Sequence, residues 1–361
     1  MTARTRVLIV DDSAVMRSLL RMVVGADPLL EVAGTAANGA DAVEAVATLK
    51  PDLMLLDVEM PVMGGMETLR RLRAQGSRVP VIMCSAVTQR GARVTIEALA
   101  SGAADYVAKP AQQASREQAM ARLTAELLPK IRALTGRREA RRTIAPLVRA
   151  MPVTMETAPE IVVVGVSTGG PAALDRMLPA LPSTLPLPVL VVQHMPELFT
   201  RPLAERLDGS CRLRVREAEE GAAVRAGEVV IARGDWHLEV QGMASGAAQQ
   251  HLTRNPPVNH CRPSVDVLFR SCAAVYGAGV LAVVLTGMGS DGLAGCRALR
   301  EAGAMVLAQD EASSTVWGMP GAVAQAGLAN RILPLDQMAA ELVWMASGKL
   351  NEAQELRDAM V

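Results

Sequence analysis

Short aliphatic runs alternate with helix-period segments along most of the chain. In the first part the runs are VLIV (7–10), EVAGTA (31–36), LMLL (53–56), PVIMCS (80–85) and DYVA (105–108). Between them lie amphipathic segments at 15–24, 39–50, 66–75 and 92–101. Near-continuous apolar strands separated by helices predict a parallel sheet covered on both faces. From about 124 to 159 this rhythm stops, and the stretch contains GRREARR (136–142). Those arginines read as a solvated linker, with a phosphate- or partner-binding patch as the alternative. A second series follows: IVVVGV (161–166), LPVLVVQ (187–193), EVVIA (228–232), GVLAVVL (279–285) and AMVLAQ (304–309), with helical segments at 172–181, 266–277 and 292–303. The expected fold class is α/β, with two doubly wound parallel-sheet domains at 1–125 and 158–350 joined by a linker at 126–157.

The length of 361 residues fits two domains better than one core. Half of the residues are hydrophobic but only 2% are aromatic, so the cores must be built from small aliphatic side chains and Met. Lys plus Arg and Asp plus Glu number 37 each, which gives no basic surplus for nucleic acid. The five cysteines form no CxxC pair and lie scattered among apolar stretches, as in a reducing compartment. The N-terminus runs into a strand pattern without a signal-peptide pattern, and no apolar run is long enough to span a bilayer. The expectation is a cytoplasmic protein that neither binds nucleic acid nor inserts directly into a membrane.

In doubly wound sheets, functional groups gather beyond the carboxyl ends of the strands. Asp11 and Asp12 follow the first strand, Asp57 follows the third, Ser85 ends the fourth and Lys109 follows the fifth. Three carboxylates at one sheet edge repel one another. A hard divalent cation with oxygen ligands, Mg²⁺ foremost, offsets that repulsion. A carboxylate beside Mg²⁺ and Lys is suited to attack a phosphoryl group. VLIVDDSAVMR, LLDVEMPVMGG, CSA and YVAKP together resemble a response-regulator receiver domain of flavodoxin-like fold over about residues 4–125. The resemblance implies that Asp57 is the phosphoacceptor. It implies that Asp11, Asp12 and Asp57, with the Glu59 backbone carbonyl, hold Mg²⁺. Ser85 and Tyr106 would form the switch pair, Lys109 would contact the phosphate, and a sensor histidine kinase would be the phosphodonor.

In the second half, Gly165-Val166-Ser167-Thr168-Gly169 fits a G-x-S-x-G nucleophile elbow between a strand and a helix. A Ser or Thr helix cap, or a phosphate-binding loop, would use the same residues. His194 ends the next strand in QHMP, and Asp291 follows a later one in LTGMGSDG. Asp310 and Glu311 occupy a comparable edge position one strand further on, while His237 reads as a structural strand residue. Ser167, His194 and Asp291 are the candidate triad, with His194 as base and Asp291 orienting it. Backbone N–H groups near Thr168 or Met288 are candidate oxyanion donors. Activity should then fall on acidification near the ordinary histidine value of about 6.5, with Asp291 able to move it upward. The order Ser…His…Asp differs from that of ordinary α/β-hydrolases.

VGVSTGGP, QHMP, PPVNHCRPSVDVLF and LTGMGSDG are similar to the Rossmann-like catalytic domain of the chemotaxis protein-glutamate methylesterases, over about residues 158–346. The resemblance implies Ser167, His194 and Asp291 as the triad and the Met288 N–H as an oxyanion donor. It implies hydrolysis of glutamate methyl esters on the cytoplasmic helices of chemoreceptors, deamidation of selected glutamines, and no cofactor for either reaction. Many relatives place a histidine directly before Arg-Pro-Ser-Val-Asp, where this chain has Cys261 preceded by His260. Neither residue enters the expected catalytic set. The competing readings are a receiver with a non-enzymatic output and a nucleotide-binding α/β domain. The second lacks G-x-G-x-x-G and a ribose-binding acid.

Overall fold

The structure is a computed structural model that describes residues 4–86, 88–110, 115–136, 157–244 and 246–347. The chain divides into two compact units, at 1–143 and 144–361. The basic run at 137–142 and most of the expected linker lie outside the described residues.

In the first unit β1 (Thr5–Val10), α1 (Ala14–Gly25), β2 (Leu30–Ala36), α2 (Gly39–Leu49), β3 (Leu53–Asp57), α3 (Gly65–Ala74), β4 (Val81–Ser85), α4 (Gln89–Ala100), β5 (Asp105–Ala108) and α5 (Arg116–Thr135) alternate without exception. The five strands form a parallel sheet in the order β2-β1-β3-β4-β5. Strands 7–10 and 53–57 are buried on both faces, which is why they read as unbroken aliphatic runs. The strand order reverses at β1, so the carboxyl ends of β1 and β3 flank a crevice. Helix α5 continues ten residues past the expected boundary at 125, because Leu127, Leu128 and Ile131 complete the apolar cluster formed with Val7, Ile9 and Leu20.

The second unit contains β6 (Ile161–Val166), α6 (Gly170–Met177), β7 (Val189–Gln193), α7 (Glu197–Asp208), β8 (Arg214–Glu217), β9 (Glu228–Ile231), β10 (His237–Gly242), β11 (Ala248–Thr253), α8 (Val265–Tyr276), β12 (Val280–Val284), α9 (Leu293–Glu301), β13 (Met305–Gln309), α10 (Met319–Gln325), β14 (Arg331–Leu333) and α11 (Leu335–Ala346). Its seven-stranded sheet runs β14-β13-β12-β6-β7-β9-β8, and every pair in it is parallel. The hairpin β10–β11 is antiparallel and stands outside this sheet. It is tied to α8 by Val240 N–H, which donates to Ser271 Oγ at 3.0 Å. Val265, Leu268 and Phe269 of α8 are fully buried, and each such side chain contributes about 1.5–3 kcal/mol. This packing fixes the N-terminus of α8 beneath the carboxyl end of β12. The chain leaves β6 toward β7 on one side of the sheet, while β12 flanks β6 on the other. The ends of β7, β6 and β12 therefore meet at one switch point.

Candidate active site

Ser167 occupies the turn between β6 and α6. Gly169 takes the left-handed conformation at φ 77°, and Gly170 N–H closes the turn on Ser167 O at 2.8 Å. The turn is tight enough that a Cβ on Gly170 would lie 1.9 Å from Gln193 Oε1. Ser167 N–H donates to Thr286 O at 3.0 Å, and the Thr286 hydroxyl donates to Thr168 O at 2.9 Å. The Gln193 amide donates to the carbonyls of both Ser167 and His194, at 3.0 and 3.2 Å. One buried side chain thus ties the elbow to the end of β7.

His194 Nε2 lies 2.8 Å from Asp291 Oδ2. Asp291 is buried and heavily solvated by protein donors. The N–H groups of Val265 (2.7 Å), Asp266 (3.2 Å) and Gly292 (3.1 Å), the Ser264 hydroxyl (2.8 Å) and the Asn259 amide (3.0 Å) all point at it. Three of these groups belong to the start of α8, where a carboxylate is also favoured by the helix dipole. Burial raises the pKa of Asp291, but His194 and these hydrogen bonds outweigh it and hold the carboxyl down to about 2. Burial likewise works to lower the pKa of His194. Its hydrogen bonds to Asp291 and Cys261, with the charges of both, carry it up to about 9 instead. The second ring nitrogen, Nδ1, faces the Cys261 sulfur at 3.7 Å. Among the described residues the Ser167 hydroxyl makes no hydrogen bond to His194, so Cys261 holds the ring position that a base would turn toward serine.

The other expected residues fall as follows. Asp310 accepts from the N–H and hydroxyl of Ser313, at 3.0 and 2.6 Å, and caps a local turn rather than meeting the imidazole. His237 is buried between Ser264 N–H and Pro256 O, in the structural role its strand position suggested. Met288 N–H has no partner among the described residues, next to a Gly287 whose N–H and carbonyl are both engaged. Thr168 is buried beside the elbow. Sequence reasoning passed over Gln193, Asn259 and Ser264, and it set Cys261 aside. Gln193 was detectable as an amide ending an otherwise aliphatic strand. Cys261 owes its place to a two-residue turn in which Asn259 and His260 both take left-handed φ, of 52° and 63°. Val258 and Cys261 exchange both backbone hydrogen bonds across that turn, at 3.1 and 2.9 Å.

In the first unit, Lys109 Nζ sits 2.8 Å from Asp11 Oδ2 and 2.7 Å from Asp57 Oδ1. Asp57 is buried, and that burial, with the nearby Asp11 charge, raises its pKa to about 6 despite the lysine. The carboxylates of Asp11, Asp12 and Asp57 converge within 4.8 Å. Asp11 Oδ2 is buried and lacks a well-directed hydrogen bond even with Lys109 beside it. An under-satisfied carboxylate oxygen among three converging carboxylates fits a hard divalent cation, so Mg²⁺ suits these residues. The Glu59 side chain is exposed and pairs with Arg90 at 3.3 Å, which leaves only its backbone carbonyl for the pocket. Ser85 is fully buried at the end of β4, with its hydroxyl 3.3 Å from Ala86 O. Tyr106 is buried on β5, with the Lys130 ammonium 5.0 Å from its ring centroid.

Comparisons to known proteins find a match for each unit. A response regulator receiver domain model matches residues 7–121, and a CheB methylesterase model matches residues 162–342. The protein-glutamate methylesterase/protein-glutamine glutaminase of Nocardioides sp. (strain ATCC BAA-499 / JS614) is 51% identical, over 94% of each chain. The protein of the same name from Trichodesmium erythraeum is 45% identical, over 94% of this chain and 98% of its own. The crystal structure of the Thermotoga maritima CheB methylesterase catalytic domain matches with a TM-score of 0.51 and 41% identity. That match covers 52% of this chain and all of the other. A receiver unit thus precedes a hydrolase unit in one chain. The chain belongs to the protein-glutamate methylesterase/protein-glutamine glutaminase family.

Proposed function

We propose that this chain hydrolyses methyl esters on glutamate side chains of chemoreceptor cytoplasmic helices, and deamidates selected glutamines there, under control of phosphorylation at Asp57. The observation that carries the reading is the His194–Asp291 pair at 2.8 Å, held at the same sheet switch point as the Ser167 elbow. Ser167 Oγ attacks the ester carbonyl as its proton passes to His194 Nδ1, the nitrogen turned away from Asp291. Asp291 stabilises the imidazolium through Nε2. The oxyanion takes the free Met288 N–H and donors at the elbow near Thr168. Methoxide leaves with the proton from His194, and water then attacks the acyl-serine by the same route. For glutamine the leaving group is ammonia. Before the first step the Nδ1–Cys261 contact must open, a tightening around bound substrate that free enzymes commonly undergo.

In the receiver, Asp57 would accept a phosphoryl group from a sensor histidine kinase. Asp11, Asp12, Asp57 and the Glu59 carbonyl would hold Mg²⁺, which supplies charge neutralisation for the transferred oxygens. Lys109 would then pair with the phosphoryl group, and Ser85 and Tyr106 would relay the change. No helix among the described residues is long and apolar enough to cross a membrane, and a cytoplasmic location fits the substrate face proposed. The test is methanol release from a methylated receptor fragment, with and without a small-molecule phosphodonor. Release that depends on Ser167 and rises with the phosphodonor supports both halves of the proposal. Release unaffected by Ser167→Ala overturns the hydrolytic half.

A further inference from the structure

The cluster of His194, Cys261 and Asp291 offers ligand atoms within 4.8 Å of one another. Its geometry is more specific than that proximity. Asp291 engages Nε2, so the lone pair of a neutral His194 sits on Nδ1, and Nδ1 faces the Cys261 sulfur at 3.7 Å. One tetrahedral zinc ion bound at about 2.3 Å to sulfur and 2.0–2.1 Å to nitrogen separates those donors by about 3.6 Å. A ligating imidazole also usually donates its other N–H to a carboxylate, which is the part Asp291 already plays. Both donors are held in place. The five groups on Asp291 fix the ring from behind, and the Asn259–His260 turn fixes the sulfur, with Cys261 only half-buried and reachable from solvent.

We propose that Cys261 Sγ and His194 Nδ1 form a binding site for a soft divalent cation of the zinc class, completed by water, which closes the hydrolase by occupying its base. In forming the complex the Cys261 S–H bond breaks, His194 releases the Nδ1 proton it carries in its imidazolium form, and both protons go to solvent. Sulfur–metal and Nδ1–metal bonds replace the thiol–imidazole contact, and nothing is oxidised or reduced. Soft thiolate and imidazole donors exclude Mg²⁺, so the receiver's cation does not compete here. The inhibitory consequence rests on His194 being the base. The binding itself does not.

The experiment titrates the full chain with Co²⁺ as a spectroscopic stand-in and then displaces it with Zn²⁺. Millimolar Mg²⁺ is present throughout to fill the receiver carboxylates. A thiolate-to-cobalt charge-transfer band saturating at one ion per chain is expected, lost in Cys261→Ser and kept in Cys211→Ser. Zn²⁺ affinity should fall at least about a hundredfold in Cys261→Ser, beyond the 10–100-fold typical of losing an outer-shell partner. Methanol release by the parent chain should be suppressed by Zn²⁺ and restored by a chelator, while Cys261→Ser resists the metal. No charge-transfer band, or equal Zn²⁺ affinity in parent and Cys261→Ser, overturns the site. A site that binds Zn²⁺ through Cys261 while hydrolysis continues unchanged leaves the metal proposal standing and overturns His194 as the base.

Discussion

His194 turns Nε2, not Nδ1, toward Asp291, at 2.8 Å from Oδ2. That choice makes Nδ1 the only ring nitrogen available to take a proton from Ser167. It also places the Cys261 sulfur, whose S–H donates to Asn259 O at 3.4 Å, against that same ring nitrogen. One ring orientation thus sets which neighbour each nitrogen of His194 meets.

Ser167→Ala should leave a folded chain whose ester turnover approaches background, a loss of about a millionfold if the triad acts as a unit. Methanol release from a methylated receptor fragment measures it. Turnover above a few per cent of the parent would place the nucleophile elsewhere.

The rising limb of the pH–rate profile should lie near pH 9 rather than near 6.5, because only neutral His194 can act as base and its pKa is carried up to about 9. Cys261→Ala removes one of the partners that raise it, so the limb should move to lower pH. An unmoved limb would mean that the thiol does not influence the imidazole. The same shift links to stability. Folded His194 keeps its proton where the unfolded chain has lost it, so the stabilisation is complete below about 6.5 and disappears as pH rises through about 9.

Asp291→Asn should reduce kcat by about ten-thousandfold with little change in KM, since it disturbs the imidazole rather than the binding surface. It should also destabilise the fold, because donors from Val265, Asp266, Ser264 and Gly292 would meet an amide in place of a carboxylate. Each buried donor left without an acceptor costs about 1–3 kcal/mol. The carboxyl is held down to about 2, so its stabilisation is present above about 3.8 and is lost as pH falls through about 2. Asp310→Asn, confined to the Ser313 turn, should keep near-parental turnover. The reverse ranking of the two variants would reassign the acid.

Asp57→Ala should abolish stimulation by a small phosphodonor while basal turnover persists. Chelation of Mg²⁺ should block phosphoryl incorporation into the parent chain and leave basal ester hydrolysis intact, because the proposed hydrolytic steps use no Mg²⁺. Radiolabelled phosphodonor and methanol release, run side by side, separate the two effects. Loss of basal hydrolysis on chelation would contradict the assignment of Mg²⁺ to the receiver alone.

The central strands were legible because burial on both faces demands unbroken aliphatic runs. IVVVGV and DYVA match their strands end to end. The strands that escaped lack that demand. β8 is Arg-Val-Arg-Glu at a sheet edge, and β11 carries Gln and His on a hairpin outside the main sheet. Helix α7 was hidden by Pro202 within it. At the site, residues at or just beyond the carboxyl end of a strand could be placed from position alone: Asp11, Asp57, Ser167, His194. The groups that orient them were not. Asn259 and Ser264 reach Asp291 only after α8 has packed, and the Asn259–His260 turn lacks the glycine that marks such turns in sequence.

Ser167, His194 and Asp291 stand beyond the ends of β6, β7 and β12, and β8 to β11 intervene in sequence between β7 and β12, which pairs with β6. Pairings so distant in sequence form slowly, since loop closure precedes the contacts that reward it. The hydrolase unit should therefore acquire activity only at the end of folding, with no partly folded species competent to cleave an ester. Recovery of turnover after dilution from denaturant becomes a clock for the long-range pairing of β12 with β6.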